Sequence, residues 1–140
     1  MRRIDTKDIF RVVDANANRL KEGLRVCEDI SRFILNDTAA TRQYKVIRHK
    51  LSSAVVSLCG SYASIVRVRN IEEDVGKKTT ASEMRRKSVQ DIFYANSQRI
   101  KESVRVLEEF AKLINEKTAC DFKKLRYAIY ALEKKIIRKL

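Results

Sequence analysis

The sequence contains no proline and no tryptophan, only three glycines, and a single histidine. So few turn formers leave an all-β fold without its punctuation, and the same scarcity suits long helices. No apolar run approaches the ~18 residues that a membrane-spanning helix requires. The opening "MRRIDTKDIF" lacks the apolar core of a signal peptide, so a cytoplasmic protein that does not enter a membrane is expected. Cys27, Cys59 and Cys120 are odd in number, far apart and outside any CxxC pair. That pattern fits reduced core thiols better than disulfides or zinc ligands.

What is present points to one globular unit. The 140 residues are 44% hydrophobic and 35% charged, enough to bury a core as a single domain spanning 1–140. The net charge of +13 suits polyanions or small phosphorylated ligands. Many of the lysines are concentrated in "FKKLRYAIYALEKKIIRKL", opposite an apolar stripe, where a merely solvated basic surface is an equal alternative.

Four long helical segments follow from the spacing of apolar residues. Asp5 or Thr6 caps a first helix that reaches about Leu35, and "NDTAAT" breaks it. Thr41 is the expected cap of the second, whose Tyr44, Ile47, Leu51, Ala54, Val55 and Leu58 keep helical spacing. Gly60 is its natural end. Residues 68–79 ("VRNIEEDVGKKT") form the longest irregular stretch. "TASE" (Thr80–Glu83) reads as a capping box opening the third segment, with a break near Ser88 and an end near Asn115. Thr118 is the expected cap of the fourth, with Phe122, Leu125, Ile129, Leu132 and Ile136 on one face.

The chain also repeats itself. "ANANRLKEGLRVCED" (Ala15–Asp29) and "YANSQRIKESVRVLEE" (Tyr94–Glu109) align at an offset of 80, with Asn16 on Asn96, Arg19 on Arg99, Glu22 on Glu102 and Glu28 on Glu108. "YKVIRHKL" and "FKKLRYAI" align with Arg48 on Arg126. The expected architecture is therefore an all-α bundle of two helical hairpins, the helices at about 7–35 and 88–115 being related by a pseudo-twofold.

On a wheel of 100° per residue, Val12, Leu20, Gly23, Cys27, Ile30 and Ile34 gather around Asn16, and Arg19 lies about 60° away, inside the apolar arc. Arg25 and Arg105 point the other way. A guanidinium turned into a core needs a partner or a ligand. Two explanations stand side by side. Asn16 bridges to a backbone carbonyl and Arg19 pairs with Glu22 for structural reasons. Alternatively, Asn16, Asn96, Arg19 and Arg99, with Glu22 and Glu102 at the edge and Arg48 and Arg126 across a cleft, hold a phosphorylated ligand.

"DANANRLKEGLRVCEDISRF", "RNIEEDVG", "SEMRR" and "YANSQRIKESVRVLEEFAK" together resemble the small all-α hydroxymethylpyrimidine phosphate kinases of thiamine biosynthesis, from about Val12 to Arg126. In many bacteria that module precedes a thiamine-phosphate synthase domain. No such domain follows here, so a standalone chain or a piece of a fusion is expected. The resemblance implies transfer of a phosphoryl group from ATP to the pyrimidine monophosphate, with Mg²⁺ as cofactor. It also implies phosphate contacts from Arg69, Gly76 and Arg86.

The residues are compatible with that chemistry. A phosphate acceptor is largely dianionic at neutral pH, its second pKa being about 6, so no strong base is required and His49 is a bystander. The work is to hold two polyanions together, with arginines (foremost Arg19 and Arg99) and a metal offsetting their repulsion. Asp74, in a loop able to aim it, is the candidate Mg²⁺ ligand, and Gly76 would let the backbone approach phosphate. "GKKT" (Gly76–Thr79) lacks the preceding glycine and the Ser or Thr after lysine of a P-loop. Two other readings remain: a basic nucleic-acid-binding bundle, opposed by the absence of a helix-turn-helix and the scatter of cations, and a non-catalytic regulatory bundle. A chorismate-mutase-like enzyme is a weaker third. A homo-oligomer is compatible with all of them.

Overall fold

The computed structural model describes residues 3–140, with only the backbone described at Ser82. Helix α1 (Thr6–Asp29) runs on through a π-helical turn (Ile30–Ile34). After it come α2 (Thr38–Cys59), a short α3 (Tyr62–Val66), a 3₁₀ turn (Ala81–Met84), α4 (Val89–Ala111) and α5 (Glu116–Ile137). No strand occurs among the described residues, so the all-α expectation holds.

Each long helix starts at a side-chain cap. Asp5 and Asp8 form a reciprocal capping box at α1: the Asp5 carboxylate accepts from the Asp8 amide at 3.1 Å, and Asp8 accepts from the Asp5 amide at 3.3 Å. The other starts differ from the sequence reading. Asp37, not Thr41, caps α2 by accepting from the Ala40 amide at 2.9 Å, while the Thr41 hydroxyl donates back to the Asp37 carbonyl. The Ala40 amide, and after it the Lys139 ammonium, hold the Asp37 carboxyl below its usual range. Asn115, not Thr118, caps α5, because an amide oxygen three residues before Thr118 reaches its N–H at 3.2 Å. "TASE" opens only the 3₁₀ turn, and α4 begins at Ser88, whose hydroxyl accepts from the Asp91 amide. Gly60 does end α2, at φ +88°, a conformation that glycine adopts without strain.

The four long helices pack as a ring, α1 on α4, α4 on α5, α5 on α2 and α2 on α1. Their inward faces supply a continuous core that includes Val13, Leu20, Leu24, Leu51, Phe93, Ile100, Leu107, Phe122 and Ile136. The α1–α4 contact is the most extensive. A Cβ at Gly23 would stand 2.8 Å from Ile100 Cγ1 and 3.2 Å from the Asn96 carbonyl oxygen, so only glycine permits this spacing.

One ion-pair arrangement occurs in both hairpins. Glu28, buried on α1, accepts from Arg48 Nε on α2 at 3.2 Å and from Arg25 at 3.3 Å. Glu108, buried on α4, accepts from Arg126 Nε on α5 at 2.8 Å and from Arg105 at 3.5 Å. The bond to Glu108, followed by a contact with Tyr130, makes Arg126 hold its proton more firmly than an ordinary arginine. Buried carboxylates held this way tie α1 to α2 and α4 to α5. Arg48 and Arg126 are thus engaged by Glu28 and Glu108, which corrects the expectation that both line a ligand cleft with Arg19 and Arg99.

The cysteines divide. Cys27 and Cys59 are buried free thiols, whereas Cys120 is exposed, contrary to a core role for all three. Burial pushes the Cys27 thiol up to about 12, although Ser97 and Tyr44 pull the other way. Burial likewise pushes Cys59 up to about 11. Tyr44 is raised well above an ordinary phenol, first by burial and then by the charge of Cys27 and Glu133.

Candidate functional site

A cavity of about 820 Å³ lies along one face of α1 and is roofed by the segment after α3. Asp8, Arg11, Val12, Ala15, Asn18, Arg19 and Glu22 recur at three- and four-residue spacing and so share this face. The far wall is Arg69, Asn70, Ile71 and Asp74, with Asp14 and Asn16 at the boundary with the core.

The true apolar centre of α1 lies on Val13 and Leu20, about 40–60° round the wheel from Asn16. The shift is away from Arg19, which is consequently exposed on the cavity wall and not turned into the core. Val12 is only half-buried, and the π-turn leaves Phe33 and Ile34 exposed, so these apolar residues misplace the centre of the stripe.

Asn16 remains buried and donates from Nδ2 to the Val12 carbonyl at 2.9 Å. Asn96 makes the corresponding bond to Ile92 at 2.8 Å. The backbone-bridging explanation therefore holds for both asparagines, but the Arg19–Glu22 pairing does not occur. Instead Arg99 approaches Glu22 at 3.9 Å, between two largely exposed side chains. Neither Arg11 nor Arg19 has a carboxylate partner among the described residues.

Arg69 is the cation of the wall that a carboxylate holds. Its guanidinium forks onto Asp14, Nε to Oδ2 at 2.8 Å and Nη2 to Oδ1 at 2.7 Å. Asp14 raises the Arg69 pKa above the arginine norm. Asn18 Nδ2 adds a 3.3 Å bond to Asp14 Oδ1. This anchors the start of the 70–88 segment to the middle of α1 and carries Asp74 to the cavity.

The structure thus brings together Asn16, Arg19, Glu22, Arg69 and Asp74 from the expected set. It does not bring in Asn96, Arg99, Glu102, Arg48, Arg126, Gly76 or Arg86 as wall residues. Glu102 accepts from Gln98 on the α4 surface, and Arg86 donates to the Arg85 carbonyl. Gly76 has no positive φ, and a Cβ there would meet only Asp74 Oδ1 at 3.5 Å, so this position does not require glycine. His49 lies in a different groove, between α2 and α5. Sequence reasoning missed Arg11 and Asp14. Their signal was available: Arg11, Ala15, Asn18 and Glu22 form a polar stripe beside the repeat, and the second copy has Tyr94 in place of Asp14.

No group of three His, Cys, Asp or Glu among the described residues is placed to cage a metal ion. Magnesium keeps waters and substrate phosphates as ligands and needs only one or two carboxylates from protein. Asp74, whose Oδ1 accepts from the Gly76 amide at 2.9 Å, and Glu22 are wall carboxylates of that kind. The residues therefore fit a cation that takes its remaining ligands from water and a bound anion.

Fold and site together define a small all-α domain with an open, arginine-lined cavity of small-ligand size along α1. The chain belongs to the ThiD2 family, whose model matches residues 11–135. Among its relatives is a thiamine-phosphate synthase of Rhodopirellula baltica, 36% identical over 132 residues, 94% of this chain and 35% of the relative. A thiamine-phosphate synthase of Synechocystis is 36% identical over 126 residues, 89% of this chain and 35% of the relative. One from Prochlorococcus marinus is 35% identical over 135 residues, 92% of this chain and 37% of the relative. The chain thus spans little more than a third of the length of these curated relatives. No solved structure matches it. No helix among the described residues is long and apolar enough to cross a membrane.

Proposed function

We propose that the chain transfers the γ-phosphoryl group of ATP to the phosphate of hydroxymethylpyrimidine monophosphate, giving the pyrophosphate ester and ADP in thiamine biosynthesis. The observation that carries this reading is the pair of guanidiniums, Arg11 and Arg19, with no carboxylate partner among the described residues, on the wall of a cavity that also holds Arg69 and Asp74. The likeness to thiamine-phosphate synthases over a third of their length supports the pathway.

In the reaction an acceptor phosphate oxygen attacks the γ-phosphorus, the bond to the β,γ-bridging oxygen breaks, and ADP carries that oxygen away. The acceptor needs no deprotonation by the protein. Arg11 and Arg19 offset the repulsion between the two polyanions, and Arg69, held by Asp14, fixes the geometry of the third cation. Asp74 and Glu22 would hold magnesium, which neutralises developing charge on the phosphates.

The relatives' name favours one other reading, in which the domain is a non-catalytic accessory part of thiamine-phosphate synthases. A coupled assay separates the two. Purified chain with ATP, Mg²⁺ and the pyrimidine monophosphate should release ADP and form the pyrophosphate ester in equal amounts. Absence of both products, with the fold intact by circular dichroism, would leave the accessory reading.

A further inference from the structure

Asn16 is more than 90% buried, yet it borders the cavity. Its amide nitrogen is committed to the Val12 carbonyl, which fixes which end of the amide faces outward. The remaining functional atom, Oδ1, has no protein donor among the described residues. No buried side-chain nitrogen or oxygen in the described structure lacks a partner. Oδ1 is therefore not sealed in the core; it reaches the cavity. An amide oxygen can only accept, so it suits a ligand N–H and disfavours a ligand phosphate or carbonyl.

The cations stand close by on the same helix. Arg19 is three residues along α1, about 4.5 Å of helical rise, and Arg11 five residues back, about 7.5 Å. The wall thus offers a neutral acceptor flanked along the helix by two guanidiniums.

We infer that Asn16 is a specificity-determining residue whose Oδ1 accepts a hydrogen bond from the exocyclic amine of a phosphorylated heteroaromatic ring. The inference deepens the functional reading above and takes its two candidate rings from it: the aminopyrimidine of the acceptor and the adenine of ATP both carry such an amine. A buried acceptor built to meet an N–H rejects the analogue that lacks it, because the oxygen is then left dehydrated and unpaired.

Asn96 supplies an internal control. It makes the same bond to the carbonyl four residues back but does not border the cavity. The bridge to the preceding turn is common to both positions, although Asn96 is only partly buried, whereas ligand recognition belongs to Asn16 alone.

The test is calorimetric binding to the whole chain with two ligand pairs. One pair is the aminopyrimidine monophosphate and its des-amino analogue. The other is ATP and purine riboside triphosphate, which lacks the 6-amino group. Wild type should prefer the amino member of one pair by about 10- to 100-fold, and the pair that discriminates identifies the ring. Asn16→Ala should abolish the preference and Asn96→Ala should keep it. Equal affinities within both pairs for wild type, or no binding to any of the four, would overturn the inference without reference to any variant. So would loss of the preference in Asn96→Ala, or its retention in Asn16→Ala. Selective binding without phosphoryl transfer would remove the kinase reading and leave this inference standing, and transfer without selectivity would do the reverse.

Discussion

Arg69 closes a planar fork on Asp14 across 55 residues of chain, with both bonds at 2.7–2.8 Å. Asp14 is buried on α1, and about a third of the Arg69 side chain is exposed. The pair is where the long irregular segment is fastened to the bundle. Asp14→Asn keeps the shape and removes the charge. It should cost about 1–2 kcal/mol of stability, less than a fully buried pair because solvent screens Arg69. It should also speed tryptic cleavage at Lys77 and Lys78. Cleavage at the wild-type rate would show that the fork does not hold the segment.

The two hairpin locks differ in burial. Arg126 leaves 13% of its side chain exposed and sits 2.8 Å from Glu108, whereas Arg48 leaves 24% exposed and sits 3.2 Å from Glu28. Glu108→Gln should therefore destabilise the fold more than Glu28→Gln, by about 2–4 kcal/mol against about 1–2. Urea unfolding with an unchanged m-value measures the difference, and equal midpoints would contradict it.

Glycine substitution separates packing from conformation. Gly23→Ala drives a Cβ toward Ile100 and the immovable Asn96 carbonyl oxygen, and should cost about 1–3 kcal/mol. Gly76→Ala meets only open space and the end of Asp74, and should leave thermal stability within about 0.5 kcal/mol of wild type. A stable Gly23→Ala protein would mean that α1 and α4 can move apart.

The thiols should report burial and pH together. At pH 8 a thiol reagent should label Cys120 alone, with Cys27 and Cys59 reacting only after denaturation. Cys27 rises from an ordinary 9.0 to about 12 in the fold. Its contribution is thus fully present below pH 9 and is lost as pH rises toward 12, where the unfolded chain releases a proton that the fold retains. Stability that increased over that interval, or rapid labelling of all three cysteines, would contradict this placement.

The helices were legible because a chain with no proline and almost no glycine writes its apolar periodicity without interruption. The core residues Tyr44, Leu51, Phe122 and Ile136 lie where their spacing predicts. The caps were less legible. Asp37 and Thr41, or Asn115 and Thr118, are equally good formers three or four residues apart, and local geometry chooses between them. The site was half legible. The repeat marked Asn16, Arg19 and Glu22, which line the α1 cavity, but it marked their α4 copies with equal weight, although only the first copy is roofed by Arg69 and Asp74. Glu28 and Glu108 matched in the repeat as well, and their role as buried partners of Arg48 and Arg126 depends on helix pairing that no spacing rule states. The pseudo-twofold itself is a proposal, tested by superposing 7–35 on 88–115.

The central claim is that the α1 cavity, and not the repeat as a whole, binds phosphate. It is tested most directly by the kcat/KM of phosphoryl transfer in Arg19→Ala beside wild type, with the melting temperature measured on the same samples. Losing one charge-assisted phosphate contact should lower kcat/KM by about 10- to 100-fold. Because Arg19 is exposed and has no ion-pair partner among the described residues, the melting temperature should stay within about 2 °C of wild type. An Arg19→Ala protein with wild-type kcat/KM, or one whose loss of activity is matched by loss of the fold, would contradict the account.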